Sequence, residues 1–93
     1  MKQYGYTDNK EAVLKRLKRA EGQVRGIAHM VEKDTYCIDI LTQVNAAQAA
    51  LDKVALELLR DHTNYCLHNA KSEQEKREKT DEIVSAINRM LSR

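Results

Sequence analysis

Apolar residues recur along this chain at spacings of three and four rather than in alternation, so the pattern predicts helices throughout. Val13, Leu17, Ala20, Val24, Ile27 and Val31 form one stripe on a first helix. Asp8 followed by Glu11 reads as a capping box that satisfies free N–H groups at its start. Gly22 and Gly26 lie inside it, each at a cost of about 1 kcal/mol relative to alanine. Their spacing puts both on one face, where another backbone could approach closely. The stretch Glu32–Thr35 is the expected turn.

A second helix is predicted from about Tyr36 to about His68. Leu41, Val44, Gln48, Leu51, Ala55, Leu58 and His62 make a heptad seam along it. Ile40, Ala47, Ala50 and Val54 add a second apolar strip, so this helix is to be covered on two sides. At 1.5 Å per residue it would be about 50 Å long, too long for a chain of this size to cover alone. Asn69–Ser72 reads as a break, and Ser72 with Glu75 as a second capping box opening a third helix. Ile83, Val84, Ile87, Met90 and Leu91 give that helix its apolar face.

Composition sharpens this all-α picture. The 93 residues are one domain's worth, without proline, phenylalanine or tryptophan, and the only aromatics are Tyr4, Tyr6, Tyr36 and Tyr65. With no large aromatic to fill a core, a lone protomer is marginal and an oligomer is expected. No apolar run approaches the length of a membrane span, and Met1–Lys10 carries no signal-peptide core. The expected setting is a reducing cytoplasm, where two cysteines are thiols rather than a disulfide scaffold. Net charge is +2, unevenly spread: residues 10–25 hold six Lys or Arg against two Glu, and residues 34–70 hold five Asp or Glu against two basic residues. A basic helix is either a solvated face or a surface for an anionic partner such as a phosphate backbone.

Cys37, His62 and Cys66 are the residues with chemistry to explain. His62 and Cys66, four apart, share one helix face, a spacing used by helical metal sites. Cys37 is separated from Cys66 by about 44 Å of helix, so the two can neither share a metal nor form a disulfide within one chain. Two copies of the second helix packed antiparallel along the seam would bring Cys37 of one beside His62 and Cys66 of the other, twice per dimer. Two thiolates and an imidazole form a soft set of three donors. Structural zinc wants four, so Cu(I) is the first choice and zinc the second. His29 and His68 fall outside the set, His68 being on a different helix face.

Three stretches carry a resemblance: LKRLKRAEGQVRGI at Leu14–Ile27, DTYCIDIL at Asp34–Leu41 and DHTNYCLHNA at Asp61–Ala70. Together they resemble the copper-sensitive operon repressor family, CsoR, within the CsoR/RcnR group of metal-responsive repressors, over nearly the whole chain. The Cys-His-Cys spacing matches the copper sensors; the nickel and cobalt sensors use extra histidines, and the persulfide sensors lack a histidine where His62 stands. The resemblance implies a three-helix protomer with a long central helix, an antiparallel dimer, and a dimer-of-dimers tetramer. It implies double-stranded operator DNA as partner, released on Cu(I) binding, with Arg16 and Lys53 as matching basic positions and Lys18 and Arg19 beside the first. Lys53 stands where the copper-sensor pattern often carries arginine. Tyr36 and Glu82 match positions that support the metal-binding histidine, which usually donates its other N–H to an oriented acceptor.

Residues 1–93 thus read as a single metal-sensing, DNA-binding helical domain, with no catalytic constellation and no membrane partner. Two other readings use the same residues. A helical copper buffer or chaperone needs the donors but not the basic first helix. A thiol- or persulfide-responsive repressor needs Cys37 and Cys66 but not His62.

Overall fold

The computed structural model describes residues 4–92; Met1–Gln3 and Arg93 lie outside the described residues. Three helices carry the chain: α1 (Lys10–Glu32), α2 (Cys37–Asn69) and α3 (Glu73–Leu91). The described residues contain no strand. They divide into two compact units, one of Asn9–Glu57 and one formed by the N-terminal segment up to Asp8 together with Leu58 onward.

In the Asn9–Glu57 unit, α1 and the first part of α2 form an antiparallel helical hairpin. Arg16, early in α1, meets Glu57, far beyond the turn, at 2.9 Å. The interior holds Val13 and Ala20 from α1 and Ala47 and Val54 from α2, each pair one heptad apart. The second apolar strip of the long helix therefore faces α1. The heptad seam is covered only in part by its own chain: Leu41 is 51% exposed and Leu51 46%, while Val44, Ala55 and Leu58 are half-buried.

The α1 stripe divides in the same way. Val13 and Ala20 are buried and Ile27 is half-buried, but Leu17, Val24 and Val31 are exposed, because the expected stripe is broader than the groove α2 offers. Gly22 and Gly26 are not close-approach points within this chain. A Cβ at Gly22 would meet only the Arg25 side chain at 3.8 Å, and one at Gly26 would meet nothing within 4 Å.

The hairpin turn is a Schellman motif. Asp34 takes φ 57°, its N–H donates to the Val31 carbonyl at 3.1 Å, and the Thr35 N–H donates to the Met30 carbonyl at 3.0 Å. Aspartate tolerates this left-handed position better than most non-glycine residues. The Tyr36 carbonyl then accepts from Asp39 and Ile40, so Cys37 is the first residue of α2 proper.

In the other unit, Ser72 caps α3 by accepting from the Glu75 N–H at 3.1 Å. Glu75 reaches back to the Lys71 N–H rather than to that of Ser72, a capping box displaced by one residue. The Asn69 amide donates to the Tyr65 carbonyl at 2.8 Å and closes the last turn of α2. Along α3, Ile83 and Met90 are half-buried, while Val84, Ile87 and Leu91 remain exposed. The expected Asp8–Glu11 capping box is not formed. Thr7–Asn9 is a 3-10 turn and the cap position of α1 is Asn9, because Thr7 is tied back to Tyr4 by two hydrogen bonds and draws Asp8 into the turn.

Candidate metal centre

His62 and Cys66 lie one turn apart near the end of α2, Cys66 buried and His62 half-buried. The helical spacing places the Cys66 Sγ 3.5 Å from His62 Nε2 and 3.9 Å from Nδ1. Glu82 of α3 brings Oε1 to 3.4 Å from His62 Nε2, and its Oε2 lies 4.0 Å from Lys79 Nζ. The carboxylate is thus shared between an imidazole on one helix and an ammonium on its own. A sulfur and an imidazole at this separation form a two-donor half-site of the kind a soft metal accepts.

Cys37 and Tyr36 are exposed and belong to the Asn9–Glu57 unit. Among the described residues, no three His, Cys, Asp or Glu side chains gather into a set that could hold a metal. The half-site opens on a cavity of about 590 Å³ that Tyr4, Gly5 and Lys79 also line. Sequence reasoning missed this contribution of the N-terminal segment. Tyr4 and Tyr6 stack with ring centroids 6.1 Å apart, and the backbone of Gly5 between them lies directly on α2. A Cβ there would strike the Asp61 carbonyl oxygen and fall 2.7 Å from the His62 Cα. The available signal was a glycine flanked by two tyrosines, a site where backbone can pack without a side chain.

Gly5→Ala is therefore expected to lift this segment from α2 while leaving the α1–α2 hairpin intact. Faster hydrogen exchange at the Thr7 amide, which donates to the Tyr4 carbonyl at 3.0 Å, would report the loss. Unchanged protection would mean that the segment accommodates the methyl group.

A basic groove lies within the Asn9–Glu57 unit. Arg16, Arg19 and Lys53 line it with Gln23 above a floor of Ala46, Ala49 and Ala50, enclosing about 350 Å³. Lys18 is exposed and does not line it. The short alanine side chains leave the space that Arg16, Arg19 and Lys53 surround. The Arg16–Glu57 pair was also not visible in the sequence, since the two residues lie on different helices with no fixed spacing.

Residues 9–89 match the sequence model of the family described as metal-sensitive transcriptional repressor. The chain belongs to this family. Over 70 residues, 75% of the chain and 73% of the relative, it is 54% identical to the copper-sensing transcriptional repressor RicR of Mycobacterium tuberculosis. Its fold is similar to that of the copper-sensing repressor CsoR with Cu(I) from Geobacillus thermodenitrificans, with a TM-score of 0.83 at 40% identity, covering 99% of this chain and 94% of the other. It also resembles the nickel-responsive transcriptional regulator InrS, with a TM-score of 0.74 at 37% identity, covering 85% of this chain and 89% of the other. The metal-sensitive repressors are regulators rather than enzymes, and repression of transcription requires binding to DNA. Among the described residues, no helix is long and apolar enough to cross a membrane.

Proposed function

We propose that this chain is a cytoplasmic Cu(I)-responsive repressor, one domain per protomer, that holds operator DNA in its metal-free form and releases it when Cu(I) binds between two subunits. The half-site carries the reading: His62 and Cys66 stand together with Glu82 behind the imidazole, and among the described residues no metal-holding set of three is completed around them. The missing donor is Cys37 of a second copy. The exposed seam on α2 supplies the surface for that copy, packed antiparallel, and the apolar residues left open on α3 suit pairing of dimers into a tetramer.

Two thiolates and one imidazole select Cu(I) over harder ions. The ion would supply a soft bridge between protomers. Glu82 orients the imidazole and ties it to α3, and Tyr36 of the partner copy is the second residue assigned to support it. Arg16, Arg19 and Lys53, with Lys18 outside the groove, are assigned to the phosphate backbone. The family match favours this reading over a copper buffer, and the presence of His62 favours metal over persulfide as the signal.

Binding of the reduced protein to a duplex it has selected from a random-sequence pool tests the proposal. Fluorescence anisotropy is expected to show an affinity that falls linearly with log salt, because Lys and Arg contacts release counterions. Stoichiometric Cu(I) is expected to weaken it. Arg16→Ala should lower affinity and make the salt slope shallower by about 1, while Cu(I) binding to the free protein stays as in the parent. An Arg16→Ala protein that binds as tightly as the parent removes this residue from the interface, and copper-insensitive DNA binding refutes the sensor.

A further inference from the structure

Glu57 has no part in the metal half-site, yet it is a largely enclosed carboxylate set against a charged partner in the Asn9–Glu57 unit. Its side chain is 17% exposed, and its Oε2 is buried without an aligned hydrogen bond. The charge set against that oxygen is the Arg16 guanidinium, with Nε at 2.9 Å. Burying a carboxylate is unfavourable, and an apolar side chain of similar volume would fill such a place at least as well. The pair is thus weak evidence for stability and calls for another role.

Its geometry supplies one. The closest approach is through Nε, the inner edge of the guanidinium, and the planar fork still has its terminal amino groups to offer. Arg16 remains 49% exposed and lines the basic groove together with Arg19 and Lys53. The carboxylate itself sits on a continuous helix, so one end of the pair is fixed by backbone.

We propose that Glu57 is a positioning residue for DNA binding: it anchors Arg16 by its Nε edge and presents the rest of the guanidinium to a phosphate at the groove. The inference rests on the assignment of Arg16 to the DNA interface. Anchoring removes the rotamer freedom that a free arginine would lose on binding, and losing one such pre-ordered side chain corresponds to roughly two- to tenfold in affinity.

Charge and positioning predict opposite signs, which makes the test decisive. Glu57→Gln removes a negative charge beside a polyanion's site, so electrostatics alone would tighten binding. Loss of anchoring weakens it. The parent, Glu57→Gln, Arg16→Ala and the double variant are to be titrated with the duplex selected by the parent, with thermal melts and Cu(I) binding measured on each. The expected result is roughly two- to tenfold weaker binding for Glu57→Gln, no further loss when the change is made in the Arg16→Ala background, and unchanged Cu(I) binding. Binding by Glu57→Gln as tight as the parent's or tighter overturns the proposal. So does a loss of equal size in both backgrounds, which would mark a general structural effect. If Arg16→Ala alone leaves affinity unchanged, the interface assignment fails and the positioning role with it, an outcome that this one arm distinguishes. Should Glu57→Gln not fold, the free parent gives the answer: nitrogen-15 relaxation is expected to show the Arg16 Nε more restricted than that of the exposed Arg19, and equal mobility of the two would refute the anchor.

Discussion

Proteins carrying Cys37→Ser or Cys66→Ser will each lose the three-donor Cu(I) site, and mixing the two will restore it. The reason lies in where the donors stand. His62 and Cys66 form one half-site within a chain, and Cys37 opens α2 at its other end. In a Cys37→Ser homodimer both sites keep only His62 and Cys66; in a Cys66→Ser homodimer both keep only Cys37 and His62. In a mixed antiparallel dimer one site has lost both cysteines, and the other combines an intact Cys37 with an intact His62–Cys66 pair. Random mixing therefore restores about a quarter of all sites. Cu(I)–thiolate absorption, read in competition with a chromophoric Cu(I) chelator, measures the recovery. If co-refolded chains bind no more tightly than either parent variant, the donors do not come from two subunits.

His62→Ala is expected to separate holding copper from responding to it. Two thiolates suffice for a soft monovalent ion, so this variant should still bind Cu(I), though less tightly. It loses the contact that leads away from the site, since His62 Nε2 lies 3.4 Å from a Glu82 oxygen on α3. A ligand shifts an equilibrium between conformations only by its differential affinity for them, and coupling between two ligands is commonly about 5- to 150-fold. Without the imidazole, the share of that coupling that runs through Glu82 disappears. Anisotropy titrations with and without Cu(I) should show DNA affinity nearly unaffected by the metal in His62→Ala, at copper levels that saturate it. Full release of DNA from the saturated variant would reduce the imidazole to a plain ligand. Glu82→Gln, which keeps the metal donors, should share the defect in milder form.

Much of this was legible in the spacing of residues. The period of the apolar positions placed α2 within a residue at each end and separated two apolar strips, of which Ala47 and Val54 pack on α1 while Leu41 and Leu51 of the other stay exposed. The His62–Cys66 pair could be read because four residues on a helix fix a neighbour. What escaped depends on groups that no local period relates. Asp8 looked like a cap, but the Tyr4–Thr7 hydrogen bonds moved the start of α1 to Asn9. Within the chain neither Gly22 nor Gly26 is approached by a backbone, whereas Gly5, which no spacing singled out, is pressed on one. The Arg16–Glu57 pair joins two helices whose relative rotation is set by packing, which sequence spacing does not encode.

The small interior of the hairpin has a consequence for the life of the molecule in a cell. Val13, Ala20, Ala47 and Val54 are all that it buries, and apolar side chains such as Leu41, Leu51, Val24 and Val31 are left in water. On the pairing proposed above, a newly made chain would complete its folding by collision, and its survival would depend on how many siblings surround it. Each tenfold dilution disfavours a dimer by about 1.4 kcal/mol, a large fraction of the stability of a domain this small. Chaperones and proteases would compete for the protomer before that collision. The supply of repressor would then not be proportional to synthesis: below a threshold output chains would be lost singly, and above it they would persist as assemblies.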